Sequence, residues 1–305
     1  MKQITQSDCA DVLVVAITPR KPDRSIDTDG IRRNVHHLIE NGVRYIMPEC
    51  GTGLVYDATL EEYETVVGTF IDAAGNAAFV VPGIGPGYGR SLEMGTIARS
   101  LGASGVMIMP IVGPGSAAGV LEGIGSIVDD VRLPVVIYQR RVDIMPADIV
   151  VSLCEKEGVV GLKYSVDDIG LFKEINDRVG DQAAMACGMA EEPSVAYLQA
   201  GAVGFSSGMA NFVPRLSLEL LRSFEAGDVV EAERIRIAMV PFEDFRGERG
   251  ARYSSSALHA AMDASGLAGG PVIPFAEDVV DKDLPRVREM LDRLHEVQES
   301  LFASV

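Results

Sequence analysis

The chain has 305 residues, 47% apolar and 23% charged, and its 27 Lys plus Arg against 44 Asp plus Glu give a formal net charge of −17. That apolar share excludes wholesale disorder. The acid excess argues against nucleic acid or an anionic membrane surface as partner, because both demand clustered Lys and Arg.

The length suits two domains of roughly 150 residues or one α/β barrel with an appendage. Cys9, Cys50, Cys154 and Cys187 are scattered without a CxxC pair. They read as free thiols of a cytoplasmic protein, not as a disulfide framework or a zinc ribbon. Residues 1–11 lack the apolar core of a signal peptide, and no apolar run approaches the ~18 residues of a membrane span.

Val12–Thr18 is a β-branched run and reads as a strand. Asp27–Asn41 follows with Ile31, Val35, Leu38 and Ile39 at helical spacing, Asp27 or Thr28 as N-cap, and Gly42 where a helix stops. Val43–Pro48 is the next strand and Leu60–Ala74 the next helix. Phe79–Pro82, Gly105–Met109, Pro134–Tyr138, Val159–Lys163, Ala183–Cys187 and Val203–Ser206 complete eight strands, most of them separated by a helical segment. Buried strands alternating with helices make a parallel sheet, and eight such units predict a (β/α)8 TIM barrel. A helix end, a Gly stop and a short strand recur at Asn41–Pro48, Leu101–Ile108 and Ala200–Phe205, as repeated αβ joints would.

Strands cease after Asn211-Phe212-Val213-Pro214. Leu216–Ala226, Val229–Phe245, Ser254–Ser265 and Leu284–Phe302 read as helices, with a turn-rich joint at Gly266–Pro274. The expected division is a catalytic barrel over 1–226 and a C-terminal helical appendage over 227–305.

Barrel chemistry sits at the C-terminal strand ends and the loops after them. Those positions hold Glu49 and Gly51-Thr52-Gly53 after strand 2, Tyr138, Arg140 and Arg141 at strand 5, and Lys163 ending strand 6. Gly188 follows strand 7, and Ser206 ends strand 8. Lys163 ends an apolar strand, where desolvation favours a free amine able to attack a carbonyl. The alternative is a rim lysine reaching Asp167 or Asp168. Tyr138 on the neighbouring strand is placed to move protons, or to be an amphipathic rim residue. Gly51–Gly53 offers backbone amides to a carboxylate, or is a tight turn. The Gly83–Gly89 stretch lacks a nucleotide fingerprint and reads as a loop. No His lies at a strand end, so neither a His-ligated metal nor Ser-His-Asp chemistry is expected.

These residues together resemble the dihydrodipicolinate synthase and N-acetylneuraminate lyase superfamily of class I aldolase-type enzymes, over residues 10–275. The carriers are Gly51-Thr52-Gly53, Tyr138, Gly161-Leu162-Lys163 and Gly201-x-x-Gly204-x-Ser206 with Asn211-x-x-Pro214. Within it, Glu61-Glu62-Tyr63, Tyr138-x-Arg140, Asp168-Ile169 after Lys163, and Asn211-Phe212-Val213-Pro214-Arg215 look most like the 5-dehydro-4-deoxyglucarate dehydratases.

The resemblance implies Lys163 as Schiff-base lysine and Tyr138 as proton shuttle. It implies a carboxylate site at Gly51, Thr52 and Gly53, with Arg140, Gly188 and Ser206 as further substrate contacts. It also implies no metal or organic cofactor, a small anionic 2-oxo acid as the binding partner, and a homodimer or homotetramer. Dehydration of a sugar-derived 2-oxo acid is the expected reaction, a pyruvate-dependent aldolase the alternative, and a non-catalytic keto-acid-binding barrel the second alternative. Four positions depart from the pattern. Leu54 stands where those dehydratases carry Glu, and Ile111 and Val112 where the family carries a crossing Tyr. Gln139 replaces Asn and His259 replaces Lys. Glu49 is the candidate replacement acid, and Arg140 and Arg141 the candidate clamps for a distal carboxylate.

Overall fold

The computed structural model describes residues 1–302; residues 303–305, the end of the expected appendage, lie outside the described residues. The strands are β1 (Val12–Val15), β2 (Tyr45–Met47), β3 in two pieces (Phe79–Val80 and Gly83–Ile84), β4 (Val106–Ile108), β5 (Val135–Gln139), β6 (Val159–Tyr164), β7 (Ala184–Cys187) and β8 (Gly204–Ser207). All pairings between them are parallel.

The sheet order begins on the first piece of β3 and ends on the second. One strand therefore pairs with β2 through Phe79 and Val80 and with β4 through Gly83 and Ile84, and the sheet closes on itself. Pro82 causes the break, because it has no N–H to give to the ladder. Bonds on both sides span the gap: Val81 N to Ile46 O at 2.9 Å and Met107 N to Pro82 O at 2.9 Å. The expected (β/α)8 barrel is thus the fold, with strand 3 interrupted.

The strands are shorter than their apolar runs. Ala16 N still reaches Met47 O at 3.1 Å, but Ala16–Thr18 then leave the ladder to enter the mouth. Every β1 and β2 residue is buried, as expected of a sheet covered on both faces. The helices are α1 (Thr28–Glu40), α2 (Leu60–Ala74), α3 (Tyr88–Leu101), α4 (Ala117–Val131), α5 (Ala147–Cys154), α6 (Ile169–Val179), α7 (Ser194–Gln199) and α8 (Pro214–Glu225). Asp27 caps α1 by accepting from Gly30 N at 2.9 Å. Gly42, at φ +92°, makes the left-handed turn into β2 that a side chain would disfavour. Thr59 and Glu62 form a capping box on α2, at 3.1 and 3.2 Å.

Beyond α8 lie α9 (Val229–Ala251), α10 (Ser256–Ala264) and α11 (Leu284–Phe302). The sequence predicted the first of these to end at Phe245. It continues, and breaks where Glu248, Arg249 and Gly250 leave helical geometry. Phe242 of α9 packs on Phe212 with ring centroids 5.1 Å apart, and Phe245 on Tyr253 at 5.4 Å. Aromatic pairs of this kind contribute about 0.5–1.5 kcal/mol beyond their burial. The first pair holds α9 against the turn after β8 and the second ties α9 to the segment that follows it, so the C-terminal helices supply part of the barrel mouth.

Candidate active site

At the C-terminal strand ends a cavity of about 490 Å³ is lined by Cys50, Gly51, Thr52, Tyr56, Tyr138, Arg140, Lys163, Ser165, Gly188, Ser206, Glu243 and Arg246, among others. Larger cavities lie between α3 and α4 and against α10 and α11. Neither carries a nucleophile on a strand end, so their size is no argument for chemistry.

Lys163 is 5% exposed. Its Nζ donates to Gly188 O at 3.0 Å and lies 3.9 Å from the centroid of the Tyr138 ring. It forms no ion pair with Asp167 or Asp168; Asp168 instead caps α6 by accepting from Leu171 N at 2.9 Å. The rim-lysine alternative is therefore overturned. Lysine is rarely buried without a carboxylate partner, and here a carbonyl and an aromatic face stand in its place. Tyr138 and Lys163 are register partners on β5 and β6, so both point the same way from the sheet.

Burial raises the Tyr138 phenol, but the Lys163 charge, the neighbouring Ser165 hydroxyl and the more distant Arg140 outweigh it and leave the phenol below its ordinary value. A phenol so placed gives up its proton more readily than free tyrosine, near pH 10. The alkaline limb of imine formation is expected below that pH in rapid-mixing trapping experiments. Tyr138→Phe should lose the limb and slow the step by ~10²–10³-fold.

The Gly51–Gly53 turn faces the same cavity. Thr52 Oγ1 donates to Val15 O at 2.9 Å, so its hydroxyl proton is committed to the scaffold. Among the described residues the amides of Gly51, Thr52 and Gly53 donate to no other backbone group. The donors left for an anion at this turn are therefore amides. Gly53 does not line the cavity. A Cβ there would stand 3.1 Å from Glu49 N and 3.3 Å from Ala16 O, so it permits close backbone packing behind the turn. Asn211 secures the arrangement: its Nδ2 donates to Val15 O at 2.9 Å and to Gly208 O at 2.8 Å.

Arg140 is exposed at the rim and forms no ion pair among the described residues. Arg141 turns away, donating to Asp143 at 2.6 Å and Gly113 O at 2.7 Å, and is no clamp. His259 also lies elsewhere. It is buried in α10 with Nδ1 3.0 Å from Gly269 O, so it does not replace the family lysine at this cavity.

Glu49 is buried and accepts from Thr18 Oγ1 at 2.8 Å, without lining the cavity. Burial pushes its carboxyl up to about 7, against the lowering effects of Thr18 and Arg20. Glu191 is likewise fully buried, held by Ser207 and by Ser217 at 3.0 Å, with Oε2 unpartnered. Burial and the nearby Glu243 charge push it up to about 8.

Both carboxyls bind protons more tightly folded than unfolded. Their contribution to stability is complete below the unfolded value near 4.5 and is lost as pH rises through about 7 for Glu49 and about 8 for Glu191. The urea midpoint should fall between pH 5 and 9. Glu191→Gln should flatten the part of that fall that lies closest to pH 8. An unchanged slope in the variant would rule out this source.

Sequence reading missed Ser165, Tyr56, Glu243 and Arg246. Ser165 was findable, since strand alternation puts it on the face of Lys163 two residues before. Its Oγ is buried and has no hydrogen-bond partner among the described residues. Glu243 and Arg246 carry no local signal, because an i,i+3 pair on a helix ordinarily marks a solvated face.

Residues 8–292 match the family described as the dihydrodipicolinate synthetase family. A protein of Bacillus subtilis named probable 5-dehydro-4-deoxyglucarate dehydratase is 27% identical, covering 88% of this chain and 90% of its own. One of that name from Xanthobacter autotrophicus is 29% identical, covering 93% and 94%. The dihydrodipicolinate synthase structure from Oceanobacillus iheyensis superposes with a TM-score of 0.89 at 29% identity, covering 97% and 98%. The Ruminococcus gnavus sialic acid aldolase shares the fold, with a TM-score of 0.89 at 18% identity over 96% and 99%.

Proposed function

The chain belongs to the dihydrodipicolinate synthetase family, and on that premise we propose that Lys163 forms a Schiff base with the 2-oxo group of a small hydroxylated acid. Enzymes of this family are class I lyases that work through a lysine imine without a metal. No cluster of three or more His, Cys, Asp or Glu able to hold a metal occurs among the described residues. No described helix is long and apolar enough to cross a membrane.

The observation that carries the reading is the buried Lys163 Nζ, held by Gly188 O and the Tyr138 ring beside free amides. The substrate carboxylate is seated on the amides of Gly51 and Thr52, and C2 then lies over Nζ, so that attack is effectively intramolecular. Free amine adds to C2, and the carbinolamine oxygen leaves as water after taking a proton from Tyr138. The iminium then draws electrons from C3. Loss of a C3 proton to the Tyr138 phenolate gives the enamine. The enamine pair expels the C4 hydroxyl, which departs as water with the proton Tyr138 returns. Hydrolysis of the imine frees Lys163.

Dehydration is the preferred outcome, supported by the names of the curated relatives. Aldol cleavage is the second reading, supported by the synthase structure at 29% identity. It diverges at the iminium: the Tyr138 phenolate takes the proton of the C4 hydroxyl and C3–C4 breaks in place of C3–H, which releases an aldehyde and leaves the enamine of pyruvate. Borohydride reduction in the presence of pyruvate, followed by peptide mass spectrometry, is expected to place the adduct on Lys163. Adducts on no lysine, with pyruvate or any other 2-oxo acid, would rule out both readings. Pyruvate released from 5-dehydro-4-deoxyglucarate would select cleavage, and a dehydrated product without pyruvate would select dehydration.

A further inference from the structure

The cavity that holds Lys163 is also lined by residues that no strand supplies. Arg246 and Glu243 of α9 line the cavity beside Gly208, with side chains only 11% and 13% exposed. Arg246 Nη1 donates to both carboxylate oxygens of Glu243, at 2.7 and 2.9 Å. Its Nε donates to Ser254 O at 2.9 Å, a carbonyl brought back by the break in α9 at Glu248–Gly250. Nη2 is left without an acceptor among the described residues. Gly208 keeps the approach open: a Cβ there would stand 3.2 Å from Nη1 and 3.4 Å from Nη2.

We propose that the Glu243–Arg246 pair reads a hydroxyl on the substrate tail and so makes the C-terminal helices the specificity element of the site. This rests on the reading of Lys163 as the imine-forming residue. A guanidinium already neutralised by a carboxylate is a poor receptor for a second carboxylate, because Glu243 repels it. The pair is a good receptor for a hydroxyl. Nη2–H donates to the hydroxyl oxygen, and a Glu243 oxygen with spare lone pairs accepts its proton. The ligand class is therefore a 2-oxo acid hydroxylated beyond C3, and the unpaired Arg140 at the rim is free to meet any charge further out.

The test compares two acids as partners for Lys163: pyruvate, which has no tail, and 2-dehydro-3-deoxygluconate, which has hydroxyls and no second carboxylate. Borohydride-trapped adduct at Lys163 is titrated against each acid in wild type, Arg246→Met and the double variant Glu243→Gln/Arg246→Met. The double variant leaves no charge buried alone, and pyruvate trapping reports that the site is folded. The ratio of the two half-saturation concentrations is expected to shift ~10–100-fold against the hydroxylated acid in both variants, the loss of a charge-assisted hydrogen bond. An unchanged ratio, whether both affinities hold or fall together, overturns the proposal. Absence of any adduct in the wild type overturns the Lys163 reading, and this proposal with it.

Discussion

Lys163→Met is expected to fold, to give no borohydride adduct with any 2-oxo acid, and to lose at least ~10⁴-fold in turnover. Methionine keeps the unbranched stem that packs under Tyr138 and removes only the amine. The structural cost is confined to Gly188 O, which loses the donor at 3.0 Å. An unsatisfied carbonyl costs about 1–3 kcal/mol, so the urea midpoint should move modestly while activity disappears. Loss of activity with no more than that modest shift separates chemistry from stability. A variant still turning over near the wild-type rate would remove Lys163 from the mechanism.

Gly188→Ala is expected to harm both stability and catalysis, for a reason that is steric and not conformational. The backbone of Gly188 is not at positive φ, so alanine can adopt it. The added Cβ, however, would lie 2.1 Å from Ser165 Oγ, 2.8 Å from Lys163 Cγ and 2.9 Å from Tyr164 O. Gly188 N is bonded to that same Tyr164 carbonyl at 2.6 Å, so β6 and the loop after β7 cannot separate without breaking it. The strain is relieved by moving Lys163 and Ser165. Overpacking of this kind costs about 1–3 kcal/mol. Displacing the amine by about an ångström costs ~10²-fold in kcat/KM. Gly188→Ala/Ser165→Gly removes the closest contact and should recover part of both losses in urea unfolding and in trapping rate. Equal defects in the single and double variants would mean that the Lys163 and Tyr164 contacts, not Ser165, set the cost.

Much of this is legible in the sequence. Apolar runs bounded by Gly and Pro located all eight strands, and the position of Lys163 at the end of one of them marked the chemistry. The closure of the barrel was not legible in detail. Pro82 reads as the end of a strand, and only the pairing partners show that the strand resumes at Gly83. Departures from the family pattern could be seen as letters but not interpreted. Glu49 stands beside Gly51 in sequence, yet its carboxyl turns to Thr18 and not to the cavity. Arg140 and Arg141 are chemically alike, yet one faces the rim and the other is taken by Asp143.

The sequence alone determined the parallel barrel and the amine with its neighbouring phenol, because hydrophobic period and strand-end position are local properties of the chain. What surrounds that amine was decided only by tertiary structure. Gly188 comes from the next strand over, and Glu243 and Arg246 from a helix some 80 residues beyond Lys163. No sequence interval encodes that meeting. It follows from packing of Phe242 in α9 against Phe212 in the turn after β8, which carries an ordinary helix-surface ion pair into the mouth of the barrel.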